Sequence, residues 1–464
     1  MKLRGNASQI EVFLDRTLSG PVFTWRQILD LIVPGVLDSL SVMLCGMLIT
    51  ALISKNGESS VAAVSLVNPI MWMITNIFNG ISAGGTVIVA QCCGRQDKKM
   101  LHQAIGMTIW LTIGVGIVVC LPCLLFPDTL LGVLYPQAEA VVMEKARVYL
   151  AGTIWSVLVF TVYTASFAVL RGLGESKRCL VLSVIINVGF LVFSILFLNI
   201  LKLDILGSVY ALFLARVAGS LASVVLLFAW RPPVRMKARM LLAYDQGLLR
   251  SSMHISIPLG LEQMCASLAG VVSQMYMVPL GTTALATHAI VNSLMGVLYA
   301  PASSGSNLAV TVVGRCTGAA EYGEAKRYGK RCDQITMFLI AAAALVFYPC
   351  LPFLLKQYNP TPEAGAMAVK LLYYSLPALF FFWPTSNTMP STLRAANDAV
   401  FPSALSLAVL WGVNIGLGYI LAIPAGYGIW GVWVATWVSW VVRFAGFELR
   451  FQRGKWLKKA EKGI

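Results

Sequence analysis

Apolar segments of 18 or more residues recur along the whole chain, each long enough to cross a bilayer core as a helix. The pattern predicts twelve spans, near 27–53, 60–91, 104–126, 146–170, 179–200, 206–230, 251–278, 284–313, 332–355, 366–393, 401–422 and 428–449. The fold class expected is an all-α, polytopic membrane protein. Its first stretch, MKLRGNASQIEVFLDRT, lacks the apolar core of a signal peptide, so targeting is expected to fall to the first span.

Composition agrees. The 464 residues are 58% hydrophobic and 12% charged, with a mean hydropathy of +0.77, whereas a soluble protein of this length carries about 25% charged residues. A formal charge of +15 raises the question of nucleic acid. With both termini in the cytoplasm, Lys55, Lys145, Arg147, Lys202, Lys356 and Lys370 fall outside, and Arg216 and Arg443 fall within spans. The remaining Lys and Arg of the total of 35 lie on the cytoplasmic side. That asymmetry is the positive-inside rule, so the charge reports topology and leaves no patch for nucleic acid. The ten cysteines are scattered through spans and loops, and the single C-x-x-C, Cys120 to Cys123, lies inside a span. They read as small packing residues rather than metal ligands.

The chain repeats itself. A shift of 224 positions maps Pro34 onto Pro258, Asp38 onto Glu262, Asn68 onto Asn292, Cys92 onto Cys316 and Gly94 onto Gly318 without a gap. Further on, LRGLGE (170–175) matches LRAAND (393–398), each leaving a span on the cytoplasmic side. Six spans per half give both halves one orientation, related by a pseudo-twofold axis along the membrane normal. Parallel repeats of this kind place the substrate site between rocking halves. The expected division is an N-lobe over 1–230, a cytoplasmic linker over 231–250 and a C-lobe over 251–464.

Two acids stand near the middle of equivalent spans, Asp38 in the first and Glu262 in the seventh. A carboxylate at bilayer depth costs about 2.5–3.5 kcal/mol, so it must face the protein interior or a wet cavity. A proton, a sodium ion or an organic cation would neutralise it. Pro34 and Pro258 lie one helical turn before each acid, where proline frees a backbone carbonyl and bends the helix. His254 shares a face with Glu262 two turns away and is a candidate relay. Asn68 and Asn292 match across the repeat and are candidates for a substrate cavity, although interhelical hydrogen bonding explains them equally. Asn187 is a further polar candidate in span 5. Span 10 is broken by Pro377, Pro384 and Pro390 and offers Tyr373, Tyr374, Phe380 to Phe382 and Trp383. Such aromatic surface suits an organic cation or lipid packing. In span 12, Trp430, Trp433, Trp437 and Trp440 share one face ahead of Arg443, and this stripe reads as lipid or interface anchoring with an Arg–Trp contact. GISAGG lacks the lysine of a P-loop, and H-E-x-x-H, paired metal acids and a Ser–His–Asp set are all missing from the sequence. An enzyme is not expected, nor any cofactor.

The motifs VPGVLDSL, GESSVAAVSLVNPI, AQCCGRQD and LRGLGESK, with their counterparts IPLGLEQM, GTTALATHAIVN, VGRCTGAAE and LRAAND, occur in order across essentially the whole chain. In them the chain resembles the multidrug and toxic compound extrusion (MATE) family. The resemblance implies two six-helix lobes that export cationic, amphipathic compounds in exchange for protons or sodium. It casts Asp38 as the N-lobe coupling acid, Glu262 as the span-7 acid and Asn187 as the asparagine that assists Asp38. Some members carry an aspartate where this chain has Leu191, and others an acid in span 10 where it has Phe382-Trp383-Pro384. One carboxylate can hold a proton unaided while sodium wants several oxygens, which tilts the expectation towards protons. The expected setting is the plasma membrane, with the chain acting as a monomer on small organic cations. A flippase for lipid-linked sugars is the alternative of the same fold; a passive channel or a membrane-embedded enzyme belongs to other classes.

Overall fold

The computed structural model describes residue 15, residues 19–53, 58–136, 140–229, 234 and 245–461, and these are helical with no strand. Most of the expected linker, 231–233 and 235–244, lies outside the described residues. Twelve long helices follow one another. They are α1 (Trp25–Ile53), α2 (Glu58–Gly94), α3 (Lys98–Leu125) and α4 (Ala140–Gly172). Next come α5 (Ser176–Ser194, extended through Ile195–Ile200), α6 (Asp204–Val224, extended through Val225–Ala229), α7 (Gln246–Met277) and α8 (Thr282–Gly318). The last four are α9 (Tyr322–Lys356), α10 (Pro362–Phe381 and Trp383–Ala395), α11 (Val400–Ala422) and α12 (Ile429–Gln452). Eleven of the helices are long and apolar enough to cross a membrane. The exception, α12, carries four tryptophans and Arg443, which lower its mean hydropathy.

Several helices outrun the stretches that hydropathy marks. The ninth span is expected from residue 332, yet α9 starts at Tyr322 and includes the polar segment YGEAKRYGKR. Hydropathy registers only the hydrocarbon-length part of a helix, while the backbone stays helical past it. The α10 break falls at Phe382, where Pro384 lacks the N–H that would continue the ladder. Large apolar side chains such as Val118, Phe338 and Leu345, each at least 70% exposed, cover the outside of the bundle. An apolar exterior on this scale is solvated by lipid, not water.

Within the first six helices α4 is central, packed against α2, α3 and α6, and α8 and α10 play that part in the last six. Across the middle of the molecule α1 lies on α8, and α2 lies on both α7 and α8. The α2–α7 crossing is tight because it is made by glycines: a Cβ on Gly80 would sit 2.8 Å from the Gly260 backbone. The tryptophan stripe of α12 does not anchor to lipid. Trp433 and Trp440 are buried beside Leu379 and Trp383, and the Trp437 indole donates to Ser375 Oγ at 2.9 Å. That face is directed inwards because α12 packs on α10, and burying Trp433 and Trp440 there, with Trp430 and Trp437 partly buried beside them, outweighs their preference for an interface.

The matching loops after α4 and α10 share one backbone trace. Gly174 (φ +71°) and Asn397 (φ +64°) both adopt the left-handed conformation that closes a helix C-terminus, and Glu175 N and Asp398 N donate back to Leu170 O and Leu393 O. Asp398 then does something its counterpart does not. Fully buried, it accepts Arg450 Nε at 2.8 Å and Lys459 Nζ at 2.7 Å, tying the loop to α12 and to the short helix Lys455–Glu461. Removing one member of a buried pair strands its partner, so Asp398→Ala is expected to cost about 3–5 kcal/mol. A clearly lowered melting temperature of the purified protein in detergent is the readout; an unchanged one refutes the role.

Candidate functional site

A cavity of about 680 Å³ lies between the halves, lined by α1, α2 and α4 from the first and by α8 from the second. Its rim, at Val42, Asn79, Ser293 and Tyr358, is exposed, while Thr86 and Ala168 at its floor are buried. The floor is closed where α2, α4, α8 and α10 end. There Gln91 Nε2 donates to Ala395 O at 2.7 Å, Thr317 Oγ1 to the same carbonyl at 3.1 Å, and Thr311 Oγ1 to Arg171 O at 3.1 Å. Arg315 donates to Leu173 O and lies over the Phe23 ring. Gly94 and Gly318, equivalent in the repeat, complete the seal. A Cβ on either would collide with backbone of the opposite helix, at Arg315 and Gln91 respectively.

Among the described residues that line the cavity, Asp38 is the only acid. Pro34 lies in α1 one turn before it, and α1 here packs on α5 and α8. Ser39 beside it touches Ser303 and Ser304 of α8 at 3.4 and 3.2 Å. Ser183 of α5 faces the Asp38 carboxyl, while Oδ1 is buried without a hydrogen-bond partner. Asn187 is one turn on, its Nδ2 donating to Ser183 O at 2.8 Å and to Ser183 Oγ at 3.2 Å. Asp38, Ser183 and Asn187 thus stand in sequence along the α1–α5 contact. Phe160, Tyr163 and Phe167 of α4 form an aromatic wall, with successive rings stacked at 5.1 and 5.6 Å.

Glu262 has a different environment. Arg394 Nη2 lies 2.5 Å from its Oε2, with both side chains close to fully buried, and Arg443 of α12 faces the pair. Its carboxylate is neutralised from within. Pro258 lies one turn before it inside α7.

The remaining candidates do not reach the cavity. Asn68 and His254 are exposed on α2 and α7. Asn292 bonds to His288 Nε2 at 2.7 Å on its own helix. Tyr373 is exposed with its ring 5.1 Å from that of Tyr348, and Trp383 is buried, stacked on Tyr299 at 4.7 Å. In the second half, that stack and Trp440 fill the interior with ring contacts. Two residues escaped the sequence reading. Arg171 was a loop cation by hydropathy, yet it lines the cavity. Asp333 sat at the expected start of its span. In α9 it is eleven residues inside, with Oδ2 accepting Thr385 Oγ1 at 2.9 Å and Oδ1 buried and unpartnered. Among the described residues no group of His, Cys, Asp and Glu has the arrangement to hold a metal ion.

A family model described as MatE matches residues 34–196 and 258–420, one copy in each half. The chain is similar to "Probable multidrug resistance protein YoeA" of Bacillus subtilis (strain 168), 24% identical over 86% of this chain and 90% of that protein. Among solved structures, "Crystal structure of MATE in the bent conformation" superposes with a TM-score of 0.85 at 19% identity, over 98% of this chain and 100% of that one. "Outward-facing conformation of a multidrug resistance MATE family transporter of the MOP superfamily" gives 0.84 at 18%, with the same coverage.

Proposed function

Because the chain belongs to the MatE family of multi-pass membrane transporters, we propose that it is an ion-coupled antiporter that exports cationic, amphipathic small molecules by alternating access. The observation that carries this reading is the free carboxylate oxygen of Asp38 in a cavity of about 680 Å³ between the halves. A bare carboxylate at that depth is costly and is relieved by any cation that can reach it. The aromatic wall of α4 supplies the apolar and cation-attracting surface an amphipathic cation needs. A coupling ion and a substrate that compete for one acid exchange for one another, which is antiport.

Orientation follows from the charges. The sealed ends of α2, α4, α8 and α10 carry the basic loops, and the positive-inside rule supports a cytoplasmic location for them and for both termini, in the plasma membrane. The cavity, open at the other end, then corresponds to an outward-facing state. A single acid can hold a proton unaided, whereas sodium wants several oxygens at once, and Asp38 as the one acid among the described cavity-lining residues therefore supports the proton as the coupling ion. One chain contains the whole cavity, in keeping with a monomer. A flippase for lipid-linked sugars would be expected to hold several basic residues in its cavity; among the described lining residues Arg171 is the only one, and the two arginines within spans add none. Arg216 donates to Ser156 Oγ at 2.6 Å inside the first half, and Arg443 sits beside Glu262.

Vesicles loaded with ethidium and given separate proton and sodium gradients test the function. Uphill ethidium movement driven by the proton gradient, and abolished by a protonophore, is expected. Movement only down the ethidium gradient under every condition would leave a passive pathway in its place.

A further inference from the structure

The repeat gives each half an acid and an arginine in equivalent positions: Asp38 with Arg171, and Glu262 with Arg394. In the second half the pair is made, with Arg394 Nη2 on Glu262 Oε2 at 2.5 Å. In the first half it is unmade. Arg171 Nη1 donates to Asn307 Oδ1 at 3.2 Å, and its guanidinium lies over the Phe167 ring at 4.7 Å. Both of those partners are neutral, so neither compensates the arginine's charge. Asp38 Oδ1 is likewise buried and unpartnered. Both side chains line the main cavity and also a smaller pocket beside it. Facing Asp38 from the helices around it are Arg171 and Tyr163 of α4 and Cys179 of α5, so among the described residues Arg171 is its one facing cation.

Two opposite charges sharing one low-dielectric cavity attract strongly, and each is costly alone. Once Asp38 is loaded its charge is neutralised and the arginine is free to rest elsewhere, whereas an unloaded Asp38 must be compensated. We infer that Arg171 is the built-in counter-cation of Asp38, pairing with the carboxylate when coupling ion and substrate are both absent and resting on Asn307 and Phe167 when either is bound. The closed Glu262–Arg394 pair is the same device with its cation permanently in place. Arg171 then competes with every cation that Asp38 binds, which weakens binding and speeds release. It is a positioning residue, acting through the charge on Asp38. The inference rests on the coupling role of Asp38.

The test compares ethidium binding and vesicle efflux for the wild type, R171Q, R171K, N307A and D38N, with R171Q also made in the D38N background. R171Q is expected to bind ethidium roughly ten-fold more tightly and to transport with Vmax at least about ten-fold lower at an unraised KM. R171K, keeping the charge, stays within about three-fold of wild type. N307A removes the resting partner, drives Arg171 onto Asp38 and weakens ethidium binding by roughly ten-fold. Opposite signs from R171Q and N307A are not what a folding defect produces, and N307A decides the matter even where R171Q is unstable. In the D38N background, R171Q is expected to change affinity by less than about two-fold. Unchanged ethidium affinity in both R171Q and N307A, or a ten-fold tightening that persists in the D38N background, overturns the inference. Normal efflux by D38N would instead remove the coupling reading beneath it, so the two failures are distinct.

Discussion

Asp38→Asn is expected to abolish uphill ethidium efflux in vesicles while leaving expression and melting temperature close to wild type. Asparagine keeps the size of the side chain and can still meet Ser183, but it carries no negative charge. Loss of a charged partner at a partly buried site typically costs about 1.5–3 kcal/mol, which corresponds to roughly a ten- to hundred-fold weaker ethidium affinity. The equivalent change in the other half, Glu262→Gln, is expected to behave in the opposite way. It leaves Arg394 and Arg443 buried without their counter-charge, so the melting temperature falls and any loss of transport follows loss of protein. If Asp38→Asn transports normally, the cavity is not the ion-coupled site.

Gly318→Val should lock the transporter out of the state described. The α2–α8 crossing has no room for a side chain at Gly318, because the opposing atom is the Gln91 carbonyl, part of a helix backbone that cannot rotate aside. The substitution forces the helices apart where they seal the cavity. Efflux is expected to fall at least about ten-fold. A more direct readout is available in Cys92 and Cys316, both 0% exposed at this seal. A membrane-permeant maleimide should leave them unmodified in the wild type and label them in the variant, as read by peptide mass. Gly94→Val, its mirror image at Arg315, should do the same. Normal efflux with both cysteines still protected would show that the glycines are mere packing.

Much of this architecture is legible from residues alone. Apolar segments of bilayer length forecast the helices; the offset of 224 exposed the pairing of Asp38 with Glu262 and of Gly94 with Gly318, and an offset of 223 that of the two Leu-Arg loops. What the repeat could not convey is that equivalent residues now have different partners. Arg171 and Arg394 look alike as cations after a span, and hydropathy assigns both to water. A long flexible side chain can turn back into the protein, and that reach depends on neighbours remote in sequence, Asn307 for one and Glu262 for the other. The stripe of α12 misled for a related reason: tryptophan is stable both at an interface and in a core, and only the docking of α12 on α10 decides between them. Asp333 was hidden because the helix begins ten residues before its hydrophobic stretch does.

The inequality of the two halves has a thermodynamic consequence. The first half presents one acid to an open cavity, whereas the second has its acid paired with Arg394 and its interior filled by Tyr299, Trp383 and Trp440. If Asp38 is the whole exchange site, one proton crosses for each monovalent cation expelled. The cycle then moves no net charge, so membrane voltage adds nothing to it. The concentration ratio it can sustain is capped by the pH difference alone, about ten-fold for each pH unit. Such a pump cannot empty a cell under a weak acid gradient, however high its copy number, and it works best where the outside is kept acidic.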